Sequence, residues 1–135
     1  MKILCPTDGT EHSMQAVAAA ATLAAKFGGE LSICAVNVAH GGGRGPLIPH
    51  WTDDEVQALL DGATATAAKN GVAQVHTAIV IDREAAAGIV GYAETHGIDH
   101  IVMGTGDKRG LSRLMLGSVA ADVAARAHCT VTIAR

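Results

Sequence analysis

A glycine-rich and cationic segment, Gly104–Ser118, carries the strongest chemical signal in the sequence. It follows an apolar run, Ile98–Met103, and precedes a helical pattern that starts at Val119. Glycine-rich backbone, the unpaired N–H groups of a first helical turn and the helix dipole all favour a bound anion at such a junction. Three side chains add positive charge: Lys108, Arg109 and Arg113. The segment therefore predicts a phosphate site, and a nucleotide is the phosphate ligand that fits it best.

Composition restricts the classes of protein to which the chain can belong. Its 135 residues predict one domain, residues 1–135, with an aliphatic core, because 49% of residues are hydrophobic and 2% are aromatic. The net charge of −3 and the clustering of basic residues at 108–113 argue against a broad nucleic-acid-binding face. No apolar stretch approaches the length of a membrane span, so no membrane partner is expected.

The cysteines and the N-terminal residues bear on the compartment. Cys5, Cys34 and Cys129 lie far apart, in or beside apolar runs and without Cys-x-x-Cys spacing. This pattern predicts buried thiols in a reducing compartment rather than a disulfide framework or a zinc site. The N-terminal apolar run breaks at Pro6, too early for a signal peptide, so a cytoplasmic protein is expected.

Strand and helix patterns alternate along the chain. Near-continuous runs rich in valine and isoleucine are typical of parallel strands that are covered on both faces. The stretch His40–Trp51 is too rich in glycine and proline to be predicted as helix or strand. Five runs are predicted as strands: Lys2–Cys5, Leu31–Val38, Ala73–Ile81, Ile98–Met103 and Thr130–Ala134.

Four helices are predicted between these strands, each with a start signal. Thr52 is followed three residues later by Glu55, which predicts a capping box. The first helix is expected to bury an apolar stripe that ends at Phe27. The predicted helix starts are Ser13, Thr52 and Asp82 as N-cap residues and Gly117-Ser118 for the fourth helix.

Strand–helix alternation with right-handed crossovers predicts an α/β fold, a doubly wound, open, parallel five-stranded sheet with four helices. In such Rossmann-like sheets, ligands bind beyond the carboxyl ends of the strands, where the winding reverses. The two segments with chemical character, Pro6–Thr10 and Gly104–Ser118, each follow a strand. If their strands are neighbours at that reversal, both segments face one crevice.

These segments together resemble the universal stress protein family, which has an adenine nucleotide alpha hydrolase-like fold. ATP-binding members carry Gly-x2-Gly-x9-Gly-Ser/Thr between the fourth strand and the fourth helix, and this chain reads Gly-x2-Asp-x9-Gly-Ser across residues 104–118. The tract Gly110–Val119 is especially close to the family's. The resemblance covers the whole chain, from Pro-Thr-Asp-Gly-Thr at residues 6–10 to the ending His-Cys-Thr-Val-Thr-Ile-Ala-Arg at residues 128–135.

The resemblance implies an ATP site whose residues can be assigned by position. Asp8 would approach the ribose or the metal-bound phosphates and so hold Mg²⁺ through the nucleotide, with Pro6 and Thr7 shaping that wall. Val36 would meet the adenine through its backbone. The other residues implied at the nucleotide are Met103, Gly104, Thr105, Gly106, Asp107, Arg109, Gly117, Ser118 and Val119.

Asp107 is the one departure from the ATP-binding pattern, because it stands where those members have the second glycine. A side chain there prevents close approach of the backbone and disfavours a positive φ. Its carboxylate also repels a triphosphate unless Mg²⁺ intervenes. Gly106 lies one residue earlier and Arg109 shortly after, so a shifted loop can compensate.

Three functions are compatible with the residues. The leading hypothesis is a nucleotide-responsive stress module that binds ATP and signals through its loop or dimer state, with slow hydrolysis at most, since no residue suits a dedicated general base. The alternative takes Asp107 as loss of nucleotide binding and leaves a dimeric interaction scaffold. A phospho-receiver domain with Asp82 as phosphoacceptor is disfavoured, because one acid rather than a pair follows the first strand.

The last predicted strand, Thr130–Ala134, points to self-association. It alternates Val131 and Ile133 with threonines and carries no charge, and no later strand follows to cover it. An uncharged open edge is an aggregation risk unless it is paired. The family resemblance implies that this strand pairs with its two-fold mate, which gives a homodimer with an isologous interface.

Overall fold

The structure, a computed structural model, describes residues 1–106 and 116–135. The predicted site residues Asp107 and Arg109 lie outside the described residues. The elements in chain order are β1 (Lys2–Pro6), α1 (Glu11–Phe27), β2 (Glu30–Gly41), β3 (Leu47–Pro49), α2 (Asp53–Lys69), β4 (His76–Asp82), α3 (Ala85–Thr95), β5 (His100–Gly104), α4 (Ser118–Arg126) and β6 (Thr130–Ala134).

The strands form one sheet whose winding reverses next to β1. β1 pairs in parallel with β2 on one side and with β5 on the other. β4 extends the sheet beyond β2, and β6 extends it beyond β5, both in parallel. The chain therefore moves outward from β1 through β2 to β4 and then crosses back to β5. The predicted doubly wound α/β architecture with four helices is confirmed, and the two segments of chemical character leave neighbouring strands.

The sheet has six strands rather than the five predicted, because part of residues 40–51 forms β3. β3 pairs antiparallel with the end of β2, with Ala39 opposite Pro49. Gly41 and Gly42 have φ values of 91° and 89°, which glycine adopts without strain and which let the chain turn there. The glycines and prolines that signalled an irregular loop thus belong to a turn between strand residues, and β2 continues to Gly41 instead of ending at Val38.

The start of α1 differs from the prediction. Its N-cap is Thr10, whose Oγ1 accepts a hydrogen bond from the Ser13 backbone N–H at 3.3 Å. Ser13 was the predicted N-cap, but it lies inside the helix, buried, with its hydroxyl 2.9 Å from the Thr7 hydroxyl. Phe27, predicted to be buried, is 68% exposed because the helix ends there, beyond the part that packs on the sheet.

The starts of α2 and α3 give one confirmation and one correction. At α2, Glu55 N–H donates to Thr52 Oγ1 at 3.2 Å and Thr52 N–H donates to Glu55 Oε1 at 3.0 Å, so the predicted capping box forms. At α3 the N-cap is Glu84 rather than Asp82. Asp82 ends β4, and its Oδ1 accepts a hydrogen bond from Glu84 N–H at 3.0 Å, as in a local turn of the Asx type.

Apolar side chains form a cluster on each face of the sheet, and alanine is abundant in both. Small alanine side chains let the helices lie close to the sheet, and tight packing of this kind is sensitive to added volume. No helix among the described residues has the length and hydropathy to cross a membrane. The α1/α2 face buries Ile3, Val17, Leu31, Ile33, Val56 and Leu60, and the α3/α4 face buries Leu4, Ile89, Ile98, Ile101 and Val123.

Two of the three cysteines fit the predicted buried thiols. Cys5 and Cys34 are fully buried, one in each cluster. Burial raises the pKa of the Cys5 thiol well above its ordinary value and that of the Cys34 thiol to about 12, so both stay protonated near neutral pH. Cys129 is only partly buried and precedes β6, so it is the thiol for which the prediction of full burial is wrong.

Gly88 marks the closest approach of α3 to the sheet. A Cβ placed there would lie 2.9 Å from Val36 Cγ1 and 3.3 Å from Asp82 Cβ, whereas one at Gly91, on the same helix, would meet nothing within 4 Å. We expect Gly88→Ala to lower the free energy of unfolding by about 1–3 kcal/mol through overpacking. Gly91→Ala should instead raise it by up to about 1 kcal/mol through helix propensity. Urea unfolding of both variants checks this, and equal shifts would contradict close packing at Gly88.

Candidate functional site

A cavity of about 340 Å³ lies beyond the carboxyl ends of β1 and β5 and beside Val36 of β2, where the winding reverses. This is the position that the doubly wound topology predicts for a ligand. Its size falls within the range of about 300–1,000 Å³ that is usual for small-molecule sites. The loop after β1, β2 at Val36, the residues that follow β5 and the starts of α3 and α4 all contribute to its walls.

The cavity brings together the predicted site residues of the described chain. Eleven of the thirteen line it, and the other two, Asp107 and Arg109, lie outside the described residues. Their roles as ligand contacts stay predictions. The eleven are Pro6, Thr7, Asp8, Val36, Met103, Gly104, Thr105, Gly106, Gly117, Ser118 and Val119.

The start of α4 forms one end of the cavity. Gly117 is its N-cap and donates its N–H to the Thr105 carbonyl oxygen at 2.8 Å. A Cβ on Gly117 would lie 2.5 Å from that oxygen, so close packing rather than an unusual φ requires glycine here. The backbone N–H groups of Ser118, Val119 and Ala120 precede the first helical hydrogen bond, and all three residues line the cavity. This end of the cavity can bind an anion.

The exit of β5 forms the adjoining wall, pressed against the start of α1. A Cβ on Gly104 would lie 2.8 Å from the His12 carbonyl oxygen, so any side chain there must displace the α1 backbone. Met103 and Thr105, on either side, are buried. Gly106 has a φ of 95°, a conformation that favours glycine. The glycines therefore keep backbone, rather than side chains, at this wall.

Asp8 stands at the mouth of the cavity within a network of hydroxyl groups. Its Oδ1 accepts hydrogen bonds from the Thr10 backbone N–H at 3.0 Å and from Thr10 Oγ1 at 2.6 Å. Desolvation alone would raise the pKa of Asp8, but hydrogen bonds from Thr10 and Ser13 outweigh it and hold the pKa below its ordinary value. Asp8 is therefore ionised near neutral pH and presents a fixed carboxylate.

Metal binding by protein groups alone has no support in residues 1–106 and 116–135, where no three His, Cys, Asp or Glu side chains form a suitable group. Magnesium is commonly held by one or two carboxylates together with phosphate oxygens of a ligand. Asp8 fits that second arrangement, because its carboxylate is ionised and shares the cavity with the α4 N-terminus.

Six residues that were not predicted from the sequence as site residues also line the cavity: Thr10, Ser13, Trp51, Ala85, Ile89 and Ala120. Thr10 and Ser13 follow Asp8 closely in the sequence, so their hydroxyl side chains could have indicated that they belong to the same site. Ile89 is an apolar residue that also belongs to the cluster on the α3/α4 face, so its residue type did not distinguish it from the core. Trp51, the only tryptophan of the chain, lay at the end of the stretch predicted to be irregular, so only the tertiary structure reveals its position.

The doubly wound α/β sheet, with a partly backbone-lined cavity at its switch point, makes this a protein of the Rossmann-like α/β class. The model of the universal stress protein family matches residues 1–135, and the chain belongs to this family. Universal stress protein MJ0531 of Methanocaldococcus jannaschii is 36% identical over 140 residues, which cover 99% of this chain and 81% of the relative. Universal stress protein YxiE of Bacillus subtilis is 33% identical over 147 residues, covering 99% and 98%.

Solved structures share the fold over nearly the whole length of both chains. A universal stress protein in complex with cAMP superposes with a TM-score of 0.79 at 24% identity, covering 100% of this chain and 96% of the other. A universal stress protein from Archaeoglobus fulgidus in complex with dAMP gives a TM-score of 0.76 at 24% identity, covering 100% and 98%. These likenesses support the assigned fold independently of the sequence match.

The lowered pKa of Asp8 predicts that this residue makes a pH-dependent contribution to stability. Ionised Asp8 stabilises the fold above its unfolded-state pKa of about 3.9, and this stabilisation is lost as the pH falls through the lower folded-state pKa. Asp8→Asn should therefore be less stable than wild type at pH 7, and the two free energies of unfolding should converge from about pH 4 downwards.

The matched control is Asp122→Asn, which removes the same charge from an exposed position on α4. Its position does not receive the hydrogen bonds that Thr10 gives to Asp8, so this variant shows the general effect of removing one exposed carboxylate. Urea unfolding from pH 2 to pH 7 makes the comparison. A gap between wild type and Asp8→Asn that widens towards low pH would have the wrong sign and would refute the assignment.

Proposed function

We propose that this chain binds an adenine nucleotide, ATP together with Mg²⁺, in the cavity at the switch point of the sheet. The observation that carries the proposal is that the N–H groups at the start of α4 and the ionised Asp8 carboxylate face one cavity. Solved relatives support the class of ligand, since one is in complex with cAMP and another with dAMP.

The proposed ligand extends along the carboxyl edge of the sheet. Its phosphates lie at the exit of β5 and at the first turn of α4, where backbone N–H groups and the Ser118 hydroxyl can donate. Asp8, whose carboxylate Thr10 holds in place, would hold Mg²⁺ together with the phosphates, and the metal would offset their negative charge. The adenine reaches towards Val36, on the part of β2 that extends past the end of β1.

The proposed role is retention and sensing of the nucleotide rather than rapid turnover. A general base works best with a pKa near the operating pH. Asp8, the carboxylate that lines the cavity, has its pKa moved in the opposite direction. We therefore propose slow ATP hydrolysis at most, with the bound nucleotide acting through the state of the loop after β5 or of a dimer.

Ser118 provides the direct test of the phosphate end. Ser118→Ala removes a hydroxyl that can donate to an ionised phosphate, a contact worth about 1.5–3 kcal/mol, so ATP affinity should fall about 10- to 100-fold. Ser118→Thr keeps the hydroxyl and should bind like wild type. Gly117 is a poor probe because any side chain there meets the Thr105 carbonyl. Calorimetric titration with ATP and Mg²⁺ measures all three proteins.

Equal affinities in wild type and both Ser118 variants would remove the Ser118 hydroxyl from the site. Failure of wild type to bind ATP at all would instead favour the second candidate function, a regulatory scaffold that does not bind nucleotide. That candidate rests on Asp107, whose carboxylate stands where ATP-binding members of the family have glycine. Retention of ATP by purified protein would argue against it.

We further propose that the chain forms a homodimer through β6. Among the described strands β6 pairs only with β5, and its five residues carry no charge, so its outer edge is open to pairing. Val131 and Ile133 are partly buried against the α3/α4 cluster. β4 is a second edge strand, longer than the three-residue β3, and its Ile79 and Ile81 are 44% and 58% exposed, so an experiment must separate β6 from β4.

A lysine introduced into one edge strand at a time distinguishes β6 from β4 as the dimer interface. Val131→Lys should convert the dimer to monomer in sedimentation velocity at micromolar concentration, because an isologous interface repeats the charge on both sides. Ile79→Lys puts the same charge on β4 and should leave the dimer intact. Circular dichroism must first show that Val131→Lys folds, since Val131 contacts the core. Monomeric wild type would refute the dimer, and dissociation by Ile79→Lys alone would move the interface to β4.

A further inference from the structure

The cavity has an apolar end opposite the α4 N-terminus. Val36 lies on β2, whereas Gly104 lies on β5, with β1 between them. Two strand spacings of about 4.8 Å separate these walls by about 10 Å. Ile89, from α3, is a second aliphatic residue that lines the cavity and belongs to the same apolar cluster as Val36. A ligand with phosphate at α4 therefore places its other end against apolar groups over β2.

Trp51 is anchored beside this apolar end. Asn37, the residue after Val36, is only 2% exposed. Its Nδ2 donates to the Trp51 carbonyl oxygen at 2.9 Å, and its Oδ1 accepts from the Trp51 N–H at 2.8 Å. The next residue, Thr52, is the N-cap of α2. A buried amide and a capped helix thus fix the backbone that carries the indole, which preorganises its position at the cavity.

The indole and the aliphatic wall come from opposite layers of the protein. Trp51 packs against the cluster on the α1/α2 face, while Val36 and Ile89 belong to the cluster on the α3/α4 face. All three nevertheless line the same cavity. An aromatic wall on one side and an aliphatic wall on the other suit a flat, apolar ring that enters beyond the end of the sheet.

We propose that Trp51 is the stacking platform for the base of the bound nucleotide. The inference rests on the proposed function and deepens it, because it assigns the base end of the site to a residue outside the sequence motif. Stacking of a base on an aromatic side chain adds affinity through the π-face and needs no hydrogen-bond partner. It also explains why the chain places its only tryptophan at a cavity wall, although only 2% of its residues are aromatic.

Trp51→Leu and Trp51→Phe form the matched pair that tests the platform. Both keep an apolar side chain packed on the α1/α2 cluster, but only phenylalanine keeps an aromatic face. We expect Trp51→Leu to bind ATP about 10-fold more weakly than wild type and Trp51→Phe to stay within about 3-fold of it. Calorimetry with ATP and with inorganic tripolyphosphate, each with Mg²⁺, shows whether the loss depends on the base. Tripolyphosphate affinity should be the same in all three proteins.

Wild-type fluorescence gives a readout that a purely structural role would not produce. Because Trp51 is the only tryptophan, its emission reports this site alone. Stacking predicts that ATP quenches the emission and that tripolyphosphate does not. This measurement tests base stacking on Trp51 even if the Trp51→Leu variant fails to fold.

The other possible results distinguish failure of the stacking platform from failure of the proposed nucleotide binding. If wild type binds ATP but its emission responds equally to ATP and tripolyphosphate, or to neither, the platform is overturned while the proposed function stands. Equal ATP affinity in wild type and a folded Trp51→Leu variant has the same meaning. If wild type binds no ATP in calorimetry, the proposed function fails and the platform fails with it.

Discussion

The parallel pairing of β1 with β5 is the constraint on which the site depends. Only Ile3 with His100 and Leu4 with Ile101 are in register between these strands, yet their adjacency fixes where the winding reverses. At that reversal the chain turns to opposite faces of the sheet: α1, reached from β1 through the segment that carries Asp8, packs on one face, and α4, which follows β5, packs on the other. Because the connections from neighbouring strands turn to opposite faces here, a crevice opens between them at the carboxyl edge of the sheet.

Small residues at the crossings bring the parts of the site close enough to act together. Gly104 lets the exit of β5 pass beneath α1, Gly117 lets α4 begin against Thr105, and Gly88 lets α3 press on Val36. An alanine-rich core has the same effect on the helices, since it contains little side-chain volume to separate them from the sheet. The cost is that added volume at these contacts must displace backbone or branched side chains.

The sequence predicted the parts of the fold that depend on local patterns. Apolar runs located the strands of the parallel sheet, and the capping box at Thr52 located the start of α2. β3 was missed because its residues are few and its pairing with β2 is a tertiary contact. Ser13 was wrongly predicted as the N-cap, because a serine near a helix start can either cap the helix or lie inside it. Here it lies inside α1 and its hydroxyl forms a hydrogen bond with the Thr7 hydroxyl. Trp51 was missed for the same kind of reason, because its position depends on Asn37, distant in sequence.

α4 connects the proposed phosphate end of the site to the proposed dimer edge. Its first turn lines the cavity, and after Arg126 only three residues separate it from Thr130, the first residue of β6. A helix of nine residues spans about 13 Å, so an effect on its start reaches the edge strand through one rigid element. A nucleotide can shift the association of β6 only if it binds monomer and dimer with different affinities. The direct link through α4 supplies a route for that difference, and linkage requires that dimerisation then change nucleotide affinity by the same factor.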